Sequence, residues 1–208
     1  MSSGNVTTAL ARAPWRFLTS RWPWLSLIYL VISAALGIVL LPLLIFTFLI
    51  LPLWALGIGG LERHRTRLLG FASQASGHIP VDELERHHWL GIRLTEAATW
   101  RETLALLVDL VLGLAALVIL FFQGIGIAVL VGAAGAGLNG PTDIQVIGGV
   151  HAVMTPANWW LTLPIGLGWL CLLAYLNATL AAVQASSLRL LCGPHPQELD
   201  EKLQIGRA

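Results

Sequence analysis

Asp109 is the only charged residue between positions 104 and 122. It lies two helical turns past Arg101, roughly 10 Å further along a helix axis. A carboxylate at such a depth in a membrane is costly and is a functional-site hypothesis by default, normally facing the bundle interior. The chemistry open to it is proton or cation binding. The plainer alternatives are a buried structural hydrogen bond or a contact with a partner subunit. Ser33, Asn177 and Thr179 are the polar residues in other apolar runs that could meet it. With no basic or second acidic partner in view, one carboxylate makes a poor transport path.

Other chemistry-bearing residues form looser patterns. His64, His78, His87 and His88 share a polar segment with Glu83 and Glu85, and Glu83 and His87 have helical i,i+4 spacing. A zinc site needs three or four converging ligands. With no HExxH and no cysteine pair, no metal is expected. Gly135, Gly137 and Gly140 spell G-x-G-x-x-G. A dinucleotide fingerprint requires a strand before it and a helix after it, and here it adjoins a membrane run with Pro141 behind. No nucleophile–base pair or paired carboxylates stand out, so neither enzymatic activity nor a cofactor is expected. Two contact surfaces remain: an outer polar stretch at 139–160 with Asp143, His151, Trp159 and Trp160, and a cytoplasmic basic motif, Arg63, Arg65 and Arg67.

These residues are positioned by apolar runs. From 24 to 61 the chain has no Asp, Glu, Lys, Arg or His. A single helix over that run would reach roughly 57 Å, about twice the ~30 Å hydrocarbon core. It is therefore read as a hairpin of spans 24–41 and 43–61, reversing near Pro42, with Pro52 kinking the second helix. A re-entrant loop is the alternative for this hairpin. A second hairpin occupies 102–187, with a glycine-rich outer loop at 123–158. Around the hairpins lie an N-terminal tail with an Arg/Trp interfacial anchor (1–23), a connecting segment (62–101) and a C-terminal tail (188–208). The connecting segment holds a short amphipathic helix with Val81, Leu84 and His88 on one face. The fold class is thus an all-α membrane protein with four transmembrane helices. Composition agrees: 56% of residues are apolar and 11% charged, with mean hydropathy +0.77, outside the usual range for a soluble domain. A net charge of +1 gives no reason to expect nucleic acid. Cys171 and Cys192 suggest neither a disulfide framework nor a zinc site.

All 12 Lys and Arg residues fall in the two tails or the connecting segment, so the positive-inside rule places both termini in the cytoplasm. A repeat is also visible. With an offset of 76, Trp24 falls on Trp100, Leu36-Gly37 on Leu112-Gly113 and Ser33 on Asp109; Arg67-Leu68-Leu69 matches Arg189-Leu190-Leu191 further on. Two hairpins of like topology imply a pseudo-twofold along the membrane normal.

The charge-free hairpin leaves through Leu61-Glu62-Arg63-His64-Arg65-Thr66-Arg67-Leu68-Leu69-Gly70, and the chain re-enters at Ala98-Thr99-Trp100-Arg101-Glu102. With these motifs the chain resembles the actinobacterial "putative sensor" membrane domain over roughly residues 14–193. That resemblance implies a duplicated four-helix unit, often found before a histidine kinase, here expected to stand without one. It implies a sensing or regulatory module and supplies no catalytic residues. The second exit, Val183-Gln184-Ala185-Ser186-Ser187, departs from the acidic-basic pattern of the first. The functional expectation is a non-enzymatic sensor-like module in the bacterial plasma membrane, embedded in lipid and acting through a protein partner. The alternatives are an accessory structural subunit of a larger complex and a small ion- or proton-coupled transporter using Asp109.

Overall fold

The computed structural model describes residues 5–47, 50–72, 78, 91, 94–146 and 150–192. Two short helices open it, α1 (Val6–Leu10) and α2 (Pro14–Leu18). Asn5 caps α1 by accepting from the Thr8 amide at 3.0 Å, while Pro14 starts α2 at the position where a missing N–H costs nothing. Val6, Ala9 and Phe17 are buried in the same cluster as Ala178 and Ala181. The tail expected as an interfacial anchor thus packs on the bundle with one face. Trp15 and Trp24 stay exposed.

Among the described residues three helices are long and apolar enough to cross a membrane: α3 (Trp22–Phe46), α5 (Ala97–Asn139) and α6 (Trp159–Cys192). Between α3 and α5 lies α4 (Leu51–Arg65), followed by a 3-10 turn, Thr66–Leu69. The apolar part of α4, Leu51–Leu61, is roughly 16 Å long, about half the hydrocarbon thickness. Among the described residues, helices long and apolar enough to cross thus number three where four spans were expected.

The reversal expected near Pro42 lies further on. α3 runs through Pro42 and ends at Thr47, whose amide donates to the Leu43 carbonyl at 2.9 Å. Thr47 Oγ1 bonds the same carbonyl and accepts from Trp54 Nε1 at 3.1 Å. Thr47 thus ties the end of α3 to α4 through its own hydroxyl, the internal pairing that an apolar setting favours. Pro52 is the second residue of α4, where its lost donor had no intrahelical partner, so it starts the helix rather than kinking it.

The glycine-rich stretch is the larger departure from expectation. Residues 123–139 continue α5 as helix, and only Gly140, at φ +100°, breaks it. The glycines make room for side chains of α6. The Trp169 ring lies within 2.7 Å of where a Cβ on Gly126 would sit, and the Trp159 ring equally close at Gly137. Close packing of this kind is the common use of small residues between membrane helices. Beyond Gly140 comes a two-stranded antiparallel hairpin, β1 (Thr142–Val146) and β2 (Val150–Met154), where a loop was expected.

The helix directions follow from who meets whom. Asp109 meets Gln184, Gln123 meets Asn177, and Gly126 meets Trp169, so α5 and α6 are antiparallel. Phe17, just before α3, stacks on Tyr175 at 4.6 Å, and Ser33 meets Gln184. α3 therefore runs with α6 and against α5. Buried Tyr29, Leu30 and Ala34 of α3 pack with Ala116 of α5 and Ala178, Ala181, Ala182 and Ala185 of α6. A second cluster joins Leu40 and Leu44 to Leu51 and Ala55 of α4 and to Leu106 and Leu110 of α5. The amphipathic segment expected around Val81–Trp89, with His87 and His88, and the tail beyond Cys192 lie outside the described residues.

Candidate functional site: a charged network inside an apolar bundle

Gly113 sets the geometry. A Cβ on it would stand 2.8 Å from the Ser33 carbonyl oxygen, so only glycine lets α3 cross α5 so closely. Gly37 faces the Gly113 backbone from the other side at an ordinary 3.6 Å. That crossing brings Ser33 of α3 level with Asp109 of α5. Gln184 of α6 completes the set, its Nε2 donating to both Ser33 Oγ and Asp109 Oδ1. All three are essentially without solvent exposure.

The basic partner missing from the sequence reading is Arg65. It ends α4 inside the bundle, 3% exposed, with Nη2 3.6 Å from Asp109 Oδ1. Its guanidinium carbon lies 4.4 Å from the Tyr29 ring centroid, a cation–π contact. An isolated charge in such surroundings would be expensive, whereas a paired one is tolerable when its remaining hydrogen-bonding positions are filled. Arginine suits the place because it is weakly hydrated and stacks on aromatic faces.

The sequence candidates are thus redistributed. Asp109 and Ser33 meet through Gln184; Asn177 does not join them. Asn177 lies on the same face of α6, seven positions before Gln184, and donates to Gln123 Oε1 at 2.7 Å. Of the basic motif, Arg65 is interior and Arg67 is exposed beside His64 at 3.5 Å; the side chain of Arg63 is outside the described set. On the outer stretch Asp143 lies exposed in β1, opposite Val153. The backbone of His151 pairs with Gln145 in the hairpin. Trp159 packs on Gly137, and Trp160 is exposed with Nε1 donating to the Ala157 carbonyl at 3.0 Å. These four residues do not converge with the buried network. Ser33 and Asp109, and Gly37 and Gly113, are the pairs matched by the 76-residue offset, and they do meet. They meet on helices of opposite direction, which a twofold along the membrane normal would not produce.

A second polar cluster was not anticipated. His78 lies between two carboxylates, Nδ1 2.6 Å from Glu96 Oε2 and Nε2 3.0 Å from Glu102 Oε2. Both glutamates are largely buried. Glu102 abuts α4, its carboxylate atoms 3.0–3.2 Å from a Cβ built on Gly59.

Long apolar helices locked by an interior ion pair define a membrane protein of the helical-bundle class. Within that class the assignment is specific: the family model described as "Putative sensor" matches residues 17–191, and the chain belongs to that family. No curated protein and no solved structure matches it.

Proposed function

We propose that the chain is a non-enzymatic sensor-like module of the bacterial plasma membrane that acts through a protein partner. Membership of the sensor family carries this reading. The Arg65–Asp109–Gln184–Ser33 network supports it, because it joins four helices at one point. A discrete packed arrangement of this kind is what a two-state membrane switch biases. Arg65 already balances Asp109, which argues against the transport alternative: a carboxylate held by a fixed cation is a poor carrier site.

The accessory-subunit reading is supported by the apolar residues that α5 and α6 expose, among them Val131 and Ile165. A pull-down of the tagged native protein in mild detergent, with quantitative mass spectrometry, separates the two. We expect substoichiometric signalling proteins. A near one-to-one set of membrane-complex subunits would replace the sensor reading with the accessory one.

In the membrane we infer three crossings, α3, α5 and α6, with α4 entering and ending at Arg65 within the bundle. The connecting segment beyond α4 and the C-terminal tail are then cytoplasmic, and they carry seven of the 12 basic residues. The N-terminal tail lies on the opposite side. The charge count favours a second reading, in which α4 completes a fourth crossing and both termini are cytoplasmic. Reporter fusions at each end decide this. Opposite signals at the two termini are expected; cytoplasmic signals at both would establish four crossings.

A further inference from the structure

Between α5 and α6, towards their β-hairpin end, lies a cleft of about 390 Å3, inside the range of about 300–1,000 Å3 found for small-molecule sites. Its lining comes from these two helices alone: Ile125 and Val129 of α5 face Ile165, Trp169 and Leu172 of α6, with glycines between. Two of those glycines are needed for the helices to approach. A Cβ on Gly126 would strike the Trp169 ring at 2.7 Å, and one on Gly166 would strike Leu130 at 2.5 Å. Gly168 is different, for a Cβ there would meet nothing within 4 Å. The missing side chain at Gly168 leaves room that no part of α5 or α6 fills.

The polar side-chain atoms of the lining are already used within the helix pair. Thr162 Oγ1 donates to the Trp159 carbonyl at 2.6 Å, and Trp169 Nε1 to the Phe122 carbonyl at 3.4 Å. A polar or charged guest would surrender its water with nothing to replace it, so the chemistry selects hydrocarbon. Along α6 the lining runs from Thr162 to Leu172, roughly 15 Å of helix, which is half of the ~30 Å hydrocarbon core. That is the depth of one leaflet, the length over which a single lipid tail lies. The bundle leaves this stretch open: Phe17 stacks on Tyr175, just past Leu172, and α3 meets α6 further on, at Gln184. Ile165 and Leu172 accordingly stand exposed at the rim. We infer that the cleft holds one acyl chain of a membrane lipid, retained in place rather than exchanging with the surrounding bilayer. The site stands independently of the sensor reading.

The test is native mass spectrometry of the full-length protein, taken from nanodiscs of dioleoyl phosphatidylglycerol into detergent. The wild type is expected to carry a single lipid through the exchange. Gly168→Leu fills the cleft without meeting any neighbour at its Cβ, and it should lose that lipid. Gly124→Leu is the control, because a Cβ there also meets nothing within 4 Å but the residue does not line the cleft; it should retain the lipid. No lipid on the wild type, detergent alone in its place, equal retention in Gly168→Leu, or equal loss in Gly124→Leu would each overturn the inference. Should Gly168→Leu not fold, lipids brominated in the acyl chain decide with the wild type. Tryptophan quenching that survives the exchange into detergent and disappears in Trp169→Phe is expected. Quenching that washes out with the bulk lipid would show that the cleft keeps no chain.

Discussion

Asp109→Ala is expected to cost about 3–5 kcal/mol, because it removes a buried carboxylate that faces the buried Arg65 guanidinium. For a chain of this size that is a fall of roughly 6–20 °C in Tm. Gln184 would at the same time lose one of the acceptors of its amide. The penalty arises from the loss of the carboxylate facing a buried cation, so it should be reduced by removing that cation as well. In the double variant Arg65→Met/Asp109→Leu the interior becomes apolar, and such replacements are often neutral or stabilising by about 1–4 kcal/mol. Thermal scans of the single and double variants in detergent give the cycle directly. A double variant as unstable as Asp109→Ala alone would mean that the pair is not the reason for the loss.

Gly113→Ala is the second large effect, and its contrast with Gly37→Ala makes it specific. A methyl at Gly113 would meet the Ser33 carbonyl oxygen at 2.8 Å, a backbone atom that cannot rotate away. α3 must then retreat from α5, an overpacking cost of about 1–3 kcal/mol, and Ser33 moves out of reach of Gln184. A methyl at Gly37 would meet its nearest atom at 3.6 Å. There the usual advantage of alanine over glycine in a helix applies, about 0.5–1 kcal/mol in favour of the variant. The expected result is a lower Tm for one substitution and an unchanged or higher Tm for the other, although the two glycines face each other. Equal effects would show that the helices do not cross at this point.

What could be read from the residues beforehand depended on how unusual each was in its surroundings. Asp109 and Ser33 were legible because an apolar run makes any polar residue conspicuous. Arg65 was not, because Glu62, Arg63, His64 and Arg67 surround it and make the whole stretch look like a headgroup-level exit. Only the ending of α4 inside the bundle separates Arg65 from its neighbours. Gln184 carried a faint signal: it lies seven positions after Asn177, hence on the same helical face. The spans themselves followed from hydropathy, while the first turn did not. Pro42 looked like the break, yet Thr47 supplies the hydroxyl and amide contacts that close the bend. The glycines of 123–139 looked like loop for a related reason. Their role depends on Trp159 and Trp169 of α6, a dependence invisible in local composition. His78 could not be paired with Glu96 and Glu102 from spacing, since the contacts span 18 and 24 positions.

The length of α5 has a consequence for the lipid around it. From 104 to 138 the helix carries one charged residue, an apolar rod of roughly 52 Å. Even leaning by 40°, at the upper end of observed tilts, it would present about 40 Å of greasy surface to a bilayer of about 30 Å. α6 lies along it, so the excess belongs to a paired rib rather than to a lone helix. Bilayer accommodation of such a rib favours longer acyl chains and a locally thickened annulus, each ångström of mismatch costing a fraction of a kcal/mol. A rib of this length, embedded along its apolar stretch, is expected to partition into the thicker regions of the membrane that holds it.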